Sequence, residues 1–460
     1  MGFSRSVLSV LILSWPLLVV GQPDDSVRDG LSGSEFSRDS GFKDWKSKEL
    51  KKFSIYKKTV TEEFKEFSDL YKQVSENYER RVSEIWANPE QSSKTRWINY
   101  GEGYRVKRVV DFEQEQVIWS TPEKLADSVN LSKDNARQML KALMSMTRKD
   151  AFEQDEIAQE TEEKSLSRFE HLETASLDDN SLLLPGFLFG QDDVSEARLN
   201  QAVEAMLAAG RNTTTSENGQ PVRSWVFPLT SGARDKTVAR PQQKSPPPDP
   251  LKNQPHAEMD AGPVLQTFIV SPENQNKLPP RARPFIAAIN KEHRELELSP
   301  ELLLAIIETE SAFNPMAKSP IPAFGLMQIV PESAGQDATE KLFGKPRVLA
   351  PSYLYNADNN IRIGSAYLNI LYYRYFKGIE NPLSRLYCAI AAYNTGPGNV
   401  SAALTGAGMR LAPAISAANR MTPSQVYNHL LENLPYEETV HYLRKVTTRL
   451  DRYKEVLSEG

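Results

Sequence analysis

The sequence predicts an α+β N-terminal domain, made of a long helix plus short antiparallel strands, followed by an all-α C-terminal domain. Three observations carry this. Val60, Phe64, Phe67, Tyr71, Val74 and Tyr78 recur at spacings of four and three, the apolar stripe of a long amphipathic helix running toward Ile85-Trp86. From Thr95 to Ser120 the period changes: Trp97, Tyr100, Tyr104, Val106, Val109, Val110, Val117, Ile118 and Trp119 are strand formers around an acidic turn at 111–116, which predicts a hairpin. After the segment Leu278-Pro-Pro-Arg-Ala-Arg-Pro284 the chain is expected to be helical to its end.

At 460 residues the chain is long enough for two or three domains, each with its own core. Residues 1–21 read as a secretory signal: Arg5 supplies the positive start and Val7 to Val20 an apolar stretch interrupted by Pro16, too short for a comfortable membrane span. Residues 22–45, rich in Ser, Gly and Asp, are expected as a flexible lead-in, and order is expected from Lys46. The N-terminal domain then occupies 46–229. Within it Ser132 caps a second helix with Ala136, Met139, Leu140 and Leu143 on one face, and further strands are expected at 182–189 and 224–229 around a helix near 197–209. The charged stretch 149–179 is expected as a solvent-exposed helix or a partly disordered excursion and carries no chemistry in this reading. A Pro-rich linker follows at 230–263, a connecting strand and loop at 264–280, and the helical domain at 281–457.

Composition narrows the function. A net charge of -5 and basic runs that sit among acids argue against nucleic-acid binding, which needs clustered Lys and Arg. The five histidines, at 171, 256, 293, 429 and 441, are scattered without metal-ligand spacing, so neither metal nor cofactor is expected. The single cysteine, Cys388, lies in the apolar run Leu386-Tyr-Cys-Ala-Ile-Ala-Ala-Tyr393 and reads as a small core residue; no cysteine stands near the signal to receive a lipid.

The chemistry concentrates in three blocks: Glu308-Thr-Glu310-Ser-Ala-Phe-Asn-Pro315, Gly325-Leu-Met-Gln328 and Ala392-Tyr393-Asn394-Thr-Gly-Pro-Gly398. Ser299-Pro300-Glu301 starts a helix with a Ser cap, Pro at the first turn and an acid at the positive terminus. At about 100° per residue Glu310 falls near Leu302, Leu303 and Ile306, whereas Glu308 shares a stripe with Glu301. Glu310 is therefore expected to point inward and Glu308 outward. A carboxyl at the end of an apolar face is desolvated, which raises its pKa and suits it to general-acid work. Asn314-Pro315 ends the helix and opens an irregular segment to Phe324. Ser319 and Gln328 there offer neutral hydrogen bonds, Gly325 close approach, and Tyr393 a ring and a phenol.

In this order the blocks closely resemble the soluble lytic transglycosylase (SLT) domain, a lysozyme-like helical fold, over about 281–453 and including Pro435-Tyr-Glu-Glu-Thr439 and Tyr442-Leu-x-Lys-Val446. Trp97-Ile-Asn-Tyr100 through Trp119, with Phe187-Leu-Phe-Gly-Gln191, is similar to the N-terminal domain of the membrane-bound lytic murein transglycosylase C family. The resemblance implies cleavage of the β-1,4 bond between N-acetylmuramic acid and N-acetylglucosamine in peptidoglycan without water, leaving 1,6-anhydromuramic acid ends. By position it implies Glu310 as acid and then base, with Ser319, Met327, Gln328, Tyr393 and Asn394 binding the saccharide. The expected partners are peptidoglycan glycan strands and cell-envelope proteins, and the expected location is the periplasm, with an uncleaved signal as the one route to the membrane. Two departures stand out: no lipidated cysteine follows the signal, and Val330 stands where related soluble enzymes often have Met. Two alternatives stay open. One is a lysozyme-type muramidase using Glu310 with water and a second carboxylate from Asp337, Glu340 or Asp358; the other is a cell-wall-binding protein with a retired site.

Overall fold

The structure is a computed structural model, described here for residues 39–177, 181–184, 195–229, 269–406 and 408–458. The signal, most of the lead-in, the Pro-rich linker and most of the expected strand at 264–270 lie outside those residues. An α+β N-terminal part is followed by a helical C-terminal part, as the sequence predicts, with one two-residue strand at Val348–Leu349.

Helix α1 runs from Asp39 to Ser83. It begins inside the stretch expected as lead-in. Its stripe is the expected one: Val60, Phe64, Phe67, Tyr71, Val74, Tyr78 and Val82 are all buried. The expected hairpin is instead the first part of a meander, β1 (Arg96–Gly101), β2 (Val106–Asp111) and β3 (Gln116–Pro122). Its second turn is the acidic one at 111–116, and Tyr104 lies in the first turn with a positive φ of 66°. Two later strands, β5 (Arg211–Glu217) and β6 (Gln220–Pro228), complete an antiparallel sheet of order β1-β2-β3-β6-β5. Trp119 faces Trp225 across the β3–β6 junction. The polar run Arg-Asn-Thr-Thr-Thr-Ser-Glu of β5 gave no apolar alternation to mark it as a strand. Helix α2 (Lys133–Met144) is capped by Ser132, whose Oγ accepts from the Asn135 amide at 3.3 Å, and α5 (Glu196–Ala209) fills the position expected of it.

The charged stretch 149–179 departs from expectation. It folds as α3 (Arg148–Glu153) and α4 (Glu156–Leu166), then as β4 (Leu172–Glu173), and it joins the two parts of the chain. Strand β4 pairs in parallel with β7 (Val348–Leu349), Leu172 opposite Val348. Between α3 and α4, Asp155 is buried and receives Lys318 Nζ at 2.6 and 2.9 Å and the Tyr355 hydroxyl at 3.3 Å. Charged composition concealed this because Asp155 and Glu173 pair with Lys318 and Arg347, far away in the chain, and buried charges persist when they are paired.

The C-terminal part holds α6 (Ile286–Leu296), α7 (Pro300–Ser311), α8 (Ala357–Ile370), α9 (Pro382–Thr395) and the long α10 (Glu437–Ser458), with shorter helices between. Cys388 of α9 is fully buried, and burial pushes its thiol up to about 12. Further bonds tie the two parts: Arg281 reaches Glu115 at 2.8 Å and the Phe112 carbonyl at 3.2 Å, Tyr56 donates to the Pro346 carbonyl at 2.6 Å, and Tyr71 to the Ser319 carbonyl at 3.2 Å. The apolar core is continuous from Val60 to Tyr453. Thus α1 also packs on Phe324 of the helical part, through an edge-to-face contact from Tyr71. Among the described residues no helix is long and apolar enough to cross a membrane.

Removing one member of a buried ion pair strands the other. Lys318→Met is expected to lower the free energy of unfolding by about 3 kcal/mol in urea titration, and the double replacement Lys318→Met/Asp155→Asn to recover part of that loss.

Candidate active site

Helix α7 opens with Ser299 Oγ accepting from the Leu302 amide at 3.3 Å, and Pro300 sits in its first turn. Nearly every side chain on it is buried, including Leu302 to Ile307, because α6, α10 and the core enclose it on all sides. The helix phasing is therefore right about Glu310 and wrong about Glu301 and Glu308, which are buried too. What covers Glu308 is α10, 140 residues on in the chain. Tyr453 donates to it at 2.8 Å, Arg281 at 3.3 Å, Arg449 lies at 3.7 Å, and Arg452 closes a further ion pair. Burial pushes the Glu308 pKa up, but the three guanidinium groups and the phenol outweigh it and hold the carboxyl below its ordinary range.

Glu310, two residues later, has the opposite setting. Burial raises its pKa, and the opposing influences are weaker: Lys94 Nζ at 3.5 Å, drawn from the segment just before β1, and the Tyr442 phenol of α10. The buried Tyr442 hydroxyl faces the carboxyl without completing a hydrogen bond of ordinary geometry. Glu438, also on α10, lies 3.9 Å from Lys94 and pushes the Glu310 pKa further up. The result is a carboxyl poised to hold its proton beside one cation and two phenols, since the charge of Glu310 also reaches Tyr393. Asp337 accepts from Tyr375 at 3.3 Å and Glu340 pairs with Lys57 at 2.7 Å, while the carboxylate acting on Glu310 is Glu438.

The backbone after Glu310 turns sharply. Ala312 and Phe313 take positive φ values of 51° and 64°, conformations that side chains other than glycine adopt at a cost. Packing holds them there, with Phe313 buried and its ring parallel to Phe285 at 6.4 Å. Asn314 then donates to the Lys94 carbonyl at 3.3 Å, and the Lys318 amide to the Ser93 carbonyl at 3.4 Å, so the loop after α7 lies along the Ser93–Lys94 segment.

Of the remaining expected site residues, Tyr393 on α9 donates to the Met327 carbonyl at 2.9 Å and packs on Tyr367, fixing its ring beside Glu310. Asn394 accepts from Thr439 at 2.7 Å, which ties the end of α9 to the first turn of α10. Gln328, at a positive φ of 49°, donates to the Gly325 carbonyl at 3.0 Å and leaves its own buried Oε1 without a hydrogen-bond partner among the described residues. The Ser319 hydroxyl donates to the Ile321 carbonyl. The Met327 side chain is fully buried against Gly364, so it presents its backbone rather than its thioether. Gly325 serves packing rather than ligand approach: at φ +75°, a Cβ there would fall 2.2 Å from Asn360 Nδ2 and 2.4 Å from the Leu354 carbonyl. Among the described residues no group of three or more His, Cys, Asp or Glu is arranged to hold a metal ion.

Lys94, Glu438 and Tyr442 had not been singled out. Tyr442 stands in the closing motif Tyr442-Leu-x-Lys-Val446, which was a usable signal; Lys94, in a Ser-Ser-Lys-Thr stretch, had none.

With this geometry the family comparison is specific. Residues 287–412 match the transglycosylase SLT domain. Similar curated proteins are the membrane-bound lytic murein transglycosylase C of Serratia proteamaculans, 40% identical over 181 residues, and that of Pectobacterium atrosepticum, 40% identical over 179 residues. Each match covers 39% of this chain and 49% of the relative, so the chain spans about half the length of the curated relatives it matches. Among solved structures, an inactive mutant of the Pseudomonas aeruginosa lytic transglycosylase Slt is 29% identical, over 37% of this chain and 24% of that one, with a TM-score of 0.28. The 70 kDa soluble lytic transglycosylase of Escherichia coli is 26% identical, over 38% and 26%, with a TM-score of 0.29. The matched span contains Glu310, Gln328, Tyr393 and Asn394 but neither Lys94 nor Tyr442.

The two glutamates should respond oppositely to neutralisation. The lowered pKa of Glu308 contributes stability above its unfolded pKa that is lost as pH falls through the folded one, so Glu308→Gln should cost about 3 kcal/mol at neutral pH and progressively less in acid. The raised pKa of Glu310 costs stability once the unfolded carboxyl ionises, so Glu310→Gln should leave stability equal or higher at neutral pH. Urea unfolding at several pH values measures both.

Proposed function

We propose that this chain is a lytic transglycosylase. It cleaves the β-1,4 bond between N-acetylmuramic acid and N-acetylglucosamine in peptidoglycan and leaves a 1,6-anhydromuramic acid end. The observation that carries this is the buried carboxyl of Glu310, whose pKa is raised and whose nearest charged partner is a cation rather than a second buried carboxylate. A glycosidase of the usual kind needs two carboxyls, one to protonate the leaving oxygen and one as nucleophile or base. Here Glu310 does both in turn. Protonated, it gives its proton to the glycosidic oxygen as the bond to C1 breaks. The carboxylate then takes the proton of the sugar's own 6-hydroxyl, whose oxygen closes on C1, so no water is consumed.

Tyr442 and Lys94 stabilise the charged form of the carboxyl between the two transfers, while Tyr393, its hydroxyl given to the Met327 carbonyl, offers its ring beside them. The free Oε1 of Gln328, with Ser319, Asn394 and the backbone at Met327, offers the hydrogen bonds that an acetamido or hydroxyl group takes. The substrate lies outside the cytoplasm, which fits the secretory character of residues 1–21 and periplasmic action.

Digestion of purified sacculi followed by mass spectrometry tests the reaction type. Anhydro muropeptides are expected; reducing-end products would assign the hydrolytic mechanism instead, with the exposed Glu438 as the carboxylate to examine. Glu310→Gln is expected to reduce release of soluble products by at least about 1000-fold while retaining glycan binding, the loss of an essential acid.

A further inference from the structure

The ionisable groups packed around Glu310 come from three separate stretches of the chain. Tyr393 is at the end of α9, Glu438 and Tyr442 are on α10, with Arg449 acting on Tyr442, and Lys94 comes from the N-terminal part. Lys94 is the one group of these outside the helical part, and it is held firmly. Ser93 donates to the Arg96 carbonyl at 2.8 Å and the Phe112 amide to the Thr95 carbonyl at 2.9 Å, which fixes the segment to the sheet. On its other side the carbonyls of Ser93 and Lys94 accept from Lys318 and Asn314, which fixes the same segment to the loop after α7. The side chain spans the mouth of the site: its ammonium is 3.5 Å from Glu310 Oε2 and 3.9 Å from Glu438 Oε1. Lys94 is 39% exposed and Glu310 5%, so the charge that balances the buried carboxyl stands at the water boundary.

We propose that Lys94 is a positioning residue for Glu310, orienting Oε2 and adjusting the carboxyl between its acid and base turns, so that the N-terminal part completes the catalytic site. This rests on the assignment of Glu310 as the acid and base. The chemistry gives the ammonium a defined job. When Glu310 hands its proton to the glycosidic oxygen, a carboxylate forms in a buried place, and a cation at hydrogen-bonding range stabilises it until the 6-hydroxyl proton arrives. Too strong a cation would leave Glu310 ionised and useless as an acid. Partial exposure moderates the effect of Lys94 by letting water screen it.

The sign of the effect on pH dependence follows. The first step needs protonated Glu310, so the rate falls as pH rises through its pKa. Removing a cation raises that pKa, and the alkaline limb should move to higher pH. Initial rates at low concentration of soluble glycan oligomers, taken across pH for wild type, Lys94→Met, Lys94→Gln and Lys94→Arg, read this out. Both neutral variants should show the limb displaced upward and a lower maximal rate, with Lys94→Arg restoring the wild-type position. An unmoved limb in folded Lys94→Met and Lys94→Gln overturns the proposal, even if both are slow, since lost packing or lost sugar contact lowers rates without moving the limb. Glu310→Gln serves as the separate control: if it stays active, the assignment of Glu310 fails, and if it is inactive while the limb is unmoved, only the role of Lys94 does.

Discussion

Keeping one carboxyl out of water is the constraint around which this molecule is arranged. A carboxylate resists burial, and the negative end of a helix makes matters worse, so the pKa of Glu310 at the last turn of α7 is held above the ordinary carboxyl range. That state persists because neighbours close over it from four places: Lys94 before the sheet, the turn after α7, the end of α9 and the first turns of α10. Two residues earlier, Glu308 meets the same burial with three arginines and a tyrosine and stays ionised. One helix thus carries two glutamates whose pKa values are displaced in opposite directions, separated by about 200° around its axis. The arginine-bound one fastens α10 to α7, and α10 in turn brings Tyr442 and Glu438 to the other.

Local backbone cost is concentrated at the same spot. Ala312, Phe313 and Gln328 all hold left-handed conformations, and Gly325 does so where a side chain would not fit. Each is fixed from outside: Phe313 by its ring contact with Phe285, Gly325 by Asn360, whose side chain donates to the carbonyls of Phe324 and Leu354 and accepts from the Met327 amide. The loop bearing Ser319 is held likewise, with Lys318 sunk into the Asp155 site and Tyr71 on the Ser319 carbonyl. A site built from strained turns keeps its shape because the supports are rigid helices and a buried ion pair.

What the sequence disclosed follows from what is local. The stripe of α1, the caps at Ser132 and Ser299 and the inward phase of Glu310 depend on residues a few positions apart, and all are found in the structure. What it concealed depends on pairing across long separations. Glu308 looks solvent-facing until α10 supplies Arg449 and Arg452, and the charged run at 149–179 looks solvent-exposed until Lys318, Tyr355 and β7 arrive to pair with it. β5 has no apolar pattern because its strand character comes from pairing with β6 rather than from its own side chains. Lys94 is invisible for the same reason: nothing in its neighbours in sequence points to a carboxyl 216 residues away.

The buried pairing of Asp155 with Lys318 also has a meaning in time. The two residues are separated by 163 positions, and the β4–β7 pairing spans a similar distance. A chain emerging from its N-terminus therefore carries part of the α1 stripe and an unmatched acid for as long as it takes the second half to follow. Contacts of such separation close slowly and leave apolar surface open meanwhile. The same interlocking that holds the finished site in register makes the unfinished chain dependent on protection from aggregation.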